Sequence, residues 1–253
     1  MSGAPGLPWL VFANSLATDM RLWEPVLGRM GGRVRALTYD MRGHGLSDTP
    51  PWDAAAPWTI STLADDLLAL VDHLRIDRFV LCGLSVGGLV AQDLAIRVPE
   101  RLRGVVLCST ASRIGSPEVW DARLEAVRAG GMAAVVEATM ERWFSPTFRA
   151  TEERVAPWRN MVARTPVEGF LGVAAAIREA DLTEAVGTIE GPALVVGGGL
   201  DGGTPPDTVR ALAGRIPGSR LEMIPGVGHL PCVEDPDTMA VLLVDFLREI
   251  GHV

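Results

Sequence analysis

The sequence contains no lysine: all 23 of its basic residues are arginine. Chemistry that needs a lysine amine, such as a Schiff base with a carbonyl substrate, is therefore excluded. Cysteine is scarce. Cys82, Cys108 and Cys232 are the only three, an odd number without framework spacing. That argues against a disulfide scaffold and for a reducing compartment. Cys82 and Cys108 fall in apolar runs, where cysteine acts as a small hydrophobe. Basic tracts are missing, and the net charge is -8, so nucleic acid is not an expected partner. There is no run of about 18 apolar residues and no charged, cleavable leader in residues 1–8. No membrane association is expected, and a cytoplasmic location is the expectation. Internal repeats and low-complexity linkers are also absent.

With 253 residues and 48% hydrophobic content, the chain suits one sizeable domain, or one domain carrying an insertion. Short apolar runs at 9–13, 33–39, 79–82, 103–108, 192–197 and 220–224 read as buried strands. Helical patterns alternate with them. Ile60, Leu63, Leu67, Leu70, Val71 and Leu74, for example, share one face. A helix is also expected from Arg21 to Gly31-Gly32, and a polar loop over 40–48 that continues through 50–57. The alternation predicts an α/β fold with a mostly parallel sheet covered on both faces. Loops at the carboxyl ends of such strands carry the chemistry. From Arg113 to Leu182 strand signals vanish, and helical segments are broken at Gly130-Gly131, Ser145-Pro146, Pro157 and Pro166. The expected division is a core of 1–112 and 183–253 with an all-helical cap at 113–182.

One stretch organises this pattern. Gly83-Leu84-Ser85-Val86-Gly87-Gly88 follows the apolar run Phe79-Val80-Leu81-Cys82 and precedes a helical pattern. Gly-x-Ser-x-Gly between a strand and a helix is a nucleophile elbow, which presents a strained serine at the tip of a sheet. A serine hydroxyl needs a base within hydrogen-bond reach, and that base needs an orienting acid. Four histidines are available. His73 falls on the polar side of a helix, His252 is next to the terminus, and His44 lies upstream in an Arg-Gly-His-Gly loop. His229, in a loop just after the last strand, is the candidate base. Asp201, in the glycine-rich loop after the strand 192–197, is the candidate acid. Asp207 and Asp235 read instead as helix N-terminal residues. The oxyanion formed by attack needs two donors, expected from the N–H groups of Val86 and Leu16.

In these features the whole chain resembles the α/β-hydrolase fold superfamily. Within it, the chain is similar to the 3-oxoadipate enol-lactonases. The resemblance is carried by Ala13-Asn14-Ser15-Leu16 with Trp23, by Tyr39-Asp40-Met41-Arg42-Gly43-His44-Gly45, and by the elbow. It continues in Cys108-Ser109-Thr110-Ala111, Trp120-Asp121-Ala122-Arg123 and Met140-Glu141-Arg142-Trp143-Phe144-Ser145-Pro146. The departures are Val86, where methionine or leucine is common, and the lack of two antiparallel strands ahead of Trp9. The loops at 202–204 and 226–232 read more like those of general esterases. The resemblance implies a serine hydrolase of a small anionic lactone, with no metal or cofactor. An anionic substrate calls for a cation in the pocket, for which Arg113, Arg142 and Arg149 are candidates. Arg42 and Trp143 are candidate walls, and Asn14 either contacts substrate or braces its loop. Two other readings remain: an esterase or lactonase acting on a different ester, and a ligand receptor that retains the fold.

Overall fold

The computed structural model describes residues 1–51 and 57–253, so the loop expected over 50–57 lies largely outside the described residues. Six strands form one sheet: β1 (Trp9–Ala13), β2 (Arg35–Thr38), β3 (Phe79–Leu84), β4 (Leu102–Cys108), β5 (Ala193–Gly198) and β6 (Arg220–Ile224). Their order is β2-β1-β3-β4-β5-β6, and every neighbouring pair is parallel. β3 is central and buried along its whole length, which explains its unbroken apolar sequence. β6 is an edge strand, and it places Arg220 and Glu222 in half-exposed positions. Beyond β2, Ser2 makes a reciprocal antiparallel bridge to Ala36, with N···O distances of 3.0 and 2.9 Å. The chain runs from β1 outward to β2, then crosses back to β3 on the other side of β1. This reversal opens a crevice beyond the carboxyl ends of β1 and β3.

The helices are α1 (Glu24–Arg29), α2 (Ile60–His73), α3 (Val86–Arg97), α4 (Pro117–Gly130), α5 (Val136–Trp143), α6 (Pro146–Arg149), α7 (Glu152–Ala163), α8 (Val167–Glu179), α9 (Pro206–Arg215), α10 (Pro231–Glu234) and α11 (Pro236–Glu249). Local chemistry sets their ends. Thr59 and Thr62 cap α2 reciprocally, with N–H to Oγ1 distances of 3.2 and 3.1 Å. Asp235 accepts the Thr238 N–H at 3.0 Å, and Pro236 opens α11. The single helix expected from Arg21 is instead a 3₁₀ turn, Met20–Trp23, followed by α1. Asp19 caps the turn, and Pro25, which lacks an N–H, suits the first turn of a new helix rather than the interior of a continuous one. Between β4 and β5 the regular elements among the described residues are all helical, α4 to α8 with short 3₁₀ turns. No helix among the described residues is long and apolar enough to cross a membrane.

Candidate active site

Ser85 stands between the end of β3 and the start of α3, with φ 57° and ψ -114°. A non-glycine residue there is strained, and the surroundings hold it in place. Its N–H donates to the Cys108 carbonyl at 2.9 Å, and its own carbonyl accepts the Thr110 hydroxyl at 2.8 Å. The flanking glycines are steric necessities. A Cβ on Gly83 would lie 2.0 Å from the Gly87 oxygen, and one on Gly87 would lie 2.2 Å from the Ala13 oxygen. The β3–α3 turn is thereby pressed against the loop after β1, and the Gly87 N–H donates to the Asn14 carbonyl at 3.1 Å. Leu16 and Val86 are both buried, and among the described residues neither N–H donates to a protein acceptor.

The loops after β5 and β6 bring Asp201 and His229 together. His229 Nδ1 lies 2.9 Å from each Asp201 carboxylate oxygen. Asp201 Oδ1 also accepts the N–H groups of Gly203 and Thr204, at 2.7 and 2.9 Å, and Oδ2 accepts the Thr204 hydroxyl at 2.7 Å. Burial pushes the Asp201 carboxyl up, but the facing imidazole and these hydrogen bonds outweigh it and hold the group below the usual carboxylate range. An ionised Asp201 accepts the proton on Nδ1 and leaves the lone pair of His229 on Nε2. Gly203 is required for this approach, since a Cβ there would sit 2.9 Å from Nδ1.

Ser85 and His229 line one small cavity of about 50 Å³, together with Leu16, Trp120, Arg123, Arg142, Trp143 and other residues. A much larger cleft, about 740 Å³, lies between α7 and the loops at 18–21 and 40–46, and none of Ser85, Asp201 and His229 lines it. The other histidines are elsewhere. His73 is exposed on α2, and His252 lies 3.0 Å from the Trp9 carbonyl. His44 is buried, its Nδ1 3.2 Å from the Arg42 carbonyl and its Nε2 without a protein partner. Burial pulls His44 down to about 4, against the opposing pull of the Arg42 carbonyl, Asp40 and Asp19. Between pH 6.5 and 4 the unfolded chain binds a proton at His44 that the native state does not. Stability should therefore fall by about 3 kcal/mol as the pH drops through this window. Urea unfolding at pH 7.5 and 4.5 measures the loss, and His44→Gln should flatten it.

Four expected pocket residues do not line this cavity. Arg42 forms a two-pronged pair with Asp66, both N···O distances 2.5 Å, and stacks over Trp58. Arg113 pairs with Asp181 at 3.2 Å on the exposed surface. Asn14 is a brace: its amide donates to the Tyr39 carbonyl at 2.7 Å and its oxygen accepts the Trp23 indole N–H at 2.9 Å. Arg149 bonds the Phe144 carbonyl at 3.2 Å and does not line the cavity. Arg142 and Trp143 do line it, and so does Arg123, a residue missed as a candidate cation. Its signal was its spacing from Trp120, three residues earlier on the same face of α4.

Arg123 lies over the Trp120 ring at 4.5 Å, and Arg142 Nη2 donates to the Thr139 hydroxyl at 2.9 Å. Among the described residues neither guanidinium has a carboxylate partner. Burial, then the Arg142 charge, lowers Arg123 to about 10. Burial also lowers Arg142, against the pull of Glu141. Two half-buried cations in a cavity that also contains a serine and an imidazole suit an anionic ligand.

Comparison with known proteins agrees with this architecture. The model of the alpha/beta hydrolase family matches residues 10–242. The 3-oxoadipate enol-lactonase 2 of Acinetobacter baylyi is 35% identical over 92% of this chain and 86% of its own length. The crystal structure of the enol-lactonase from Burkholderia xenovorans superposes with a TM-score of 0.93 at 39% identity, covering 98% of this chain and 94% of that one. A thermophilic esterase from Thermogutta terrifontis, solved with malate bound, gives a TM-score of 0.90 at 33% identity over 99% and 92% of the two chains. The chain belongs to the alpha/beta hydrolase family.

Proposed function

We propose that the protein is a serine hydrolase that opens 3-oxoadipate enol-lactone to 3-oxoadipate, in the catabolism of protocatechuate or catechol. The observation that carries this reading is the pair Arg123 and Arg142, two guanidinium groups without carboxylate partners in the cavity that contains Ser85 and His229. An enol-lactone with a carboxymethyl substituent supplies both an ester carbonyl for the serine and a carboxylate for the arginines. Similarity to two enol-lactonases supports the choice. So does the malate in the related esterase, since malate is a small dicarboxylate.

His229 Nε2 takes the proton of Ser85 as Oγ attacks the lactone carbonyl. Asp201 holds the imidazole in the tautomer that this transfer needs. The open N–H groups of Leu16 and Val86 receive the oxyanion. Collapse of the tetrahedral intermediate breaks the ring C–O bond and expels an enolate, which takes up a proton and becomes the ketone. Water activated by His229 then cleaves the acyl-enzyme, releasing 3-oxoadipate and restoring Ser85. No metal or cofactor takes part. A cavity of about 50 Å³ has room for only a few waters. The helices between β4 and β5, acting as a cap, must therefore shift to admit the lactone.

A second reading, an esterase of the same mechanism, is favoured by the loops 202–204 and 226–232 and by the similarity to the Thermogutta enzyme. Loss of the absorbance of enzymatically generated enol-lactone tests the choice. Rapid loss supports the enol-lactonase reading. Turnover of 4-nitrophenyl acetate without any loss of lactone overturns it in favour of the esterase.

A further inference from the structure

We propose that Glu234 is a positioning residue that holds the base loop and the segment Arg142–Ser145 as one unit, so that the alignment of His229 and the placement of the anion-binding Arg142 are set together. The proposal rests on the reading of His229 as the base and of Arg142 as an anion contact. Glu234 ends α10, the short helix that follows His229. One carboxylate oxygen, Oε1, accepts the Gly228 N–H at 2.8 Å and the Ser145 N–H at 3.1 Å. The other, Oε2, accepts the Ser145 hydroxyl at 2.5 Å. One charged group thus bridges the residue before the base and Ser145, two positions beyond the pocket-lining pair Arg142-Trp143.

Backbone contacts run alongside this bridge. The His229 N–H donates to the Trp143 carbonyl at 2.7 Å, and the Gly202 N–H, next to Asp201, donates to the Arg142 carbonyl at 3.2 Å. The segment therefore touches both the acid loop and the base loop. Glycine makes the contact possible. A Cβ on Gly228 would lie 2.4 Å from the Trp143 oxygen and 2.7 Å from Glu234 Oε1. A charge-assisted acceptor of three donors is a strong local tie. Without it, the Gly228 and Ser145 N–H groups lose their acceptor and the two segments can separate. Displacement of about 1 Å at a catalytic group costs as much as 100-fold in rate.

The test compares the parent with Glu234→Ala, Glu234→Gln and Ser145→Ala. Steady-state kinetics use 4-nitrophenyl acetate, which is neutral, and 4-nitrophenyl hemisuccinate, which carries a carboxylate. Proton NMR follows the downfield Nδ1–H of His229 that faces Asp201. Glu234→Ala should lower kcat on both esters by about 10- to 100-fold and raise KM for the hemisuccinate, and it should shift or broaden the downfield proton. Glu234→Gln should restore most of each, because its amide oxygen still accepts from both N–H groups and its NH₂ can donate to the Ser145 hydroxyl. Ser145→Ala removes the shortest bond to Glu234, together with the hydroxyl that caps α6 by accepting the Phe148 N–H at 3.2 Å, and leaves the Gly228 and Ser145 N–H bonds in place. It should raise KM for the hemisuccinate more than it lowers kcat on the acetate, and it serves where Glu234→Ala does not fold. A folded Glu234→Ala with parental kcat, parental KM on both esters and an unmoved downfield proton overturns the proposal, as does a Ser145→Ala with parental KM values. If the parent turns over neither ester nor the enol-lactone, the hydrolase reading fails separately, and an unmoved NMR signal in Glu234→Ala still overturns the positioning role.

Discussion

Ser85→Ala is expected to lower kcat for ester or lactone hydrolysis by about 10⁴- to 10⁶-fold, because Ser85 is the hydroxyl that the elbow presents in the cavity shared with His229. The fold should survive. Alanine keeps the Cβ, and the ties that hold the strained backbone run through the Ser85 N–H and C=O rather than through Oγ. Asp201→Asn is the informative partner. Its geometry is nearly unchanged, but an amide nitrogen facing His229 Nδ1 favours the tautomer with the proton on Nε2, which cannot accept one from Ser85. The expected loss is about 10³- to 10⁴-fold in kcat, with KM little altered. Fluorophosphonate labelling of the parent and both variants checks the result independently of substrate. The parent should label, Ser85→Ala should not, and Asp201→Asn should label slowly. Equal labelling of the parent and Asp201→Asn would remove the acid role from Asp201. No labelling of a folded parent would favour a receptor over an enzyme.

The second large effect concerns selectivity. Arg123→Met and Arg142→Met should each lower kcat/KM for an anionic substrate by about 10- to 100-fold, since a hydrogen bond to a charged group contributes about 1.5–3 kcal/mol. On a neutral ester the same variants should fall by less than about threefold, because neither guanidinium contacts the Asp201–His229 pair. Methionine preserves apolar bulk beside Trp120 and Trp143, so a loss is ascribed to the charge rather than to a cavity. The two losses should not simply add. Removing one cation relieves the repulsion on the other, and the cycle of single and double variants measures that coupling. Equal losses on neutral and anionic substrates would show that the arginines support packing and would remove the reason to favour an anionic lactone.

Local sequence carried much of the fold and of the candidate site. The six apolar runs lie within a residue or two of the six strands, because a strand buried on both faces has almost no freedom but to be apolar. Ser85 was legible for the same kind of reason: only glycines fit at 83 and 87, where a Cβ would fall within 2.2 Å of a backbone oxygen. Asp201 and His229 stood at the carboxyl ends of strands, where a parallel sheet gathers its loops, so their meeting follows from topology once the strands are placed. Neighbours far apart in sequence were not legible. Arg42 and Arg123 are both arginines beside tryptophans, and only the tertiary structure gives Asp66 to the first and the cavity to the second. Asn14 read equally as a contact or a brace until Tyr39 and Trp23 claimed both ends of its amide. Glu234 carries no motif of its own, and the donors that define it come from residues six and 89 positions away. Sequence determines what each backbone segment must be, because propensity and steric exclusion act locally. Which charges are neutralised, which remain open and which loops move together is decided only when the folded chain brings distant partners within hydrogen-bond reach.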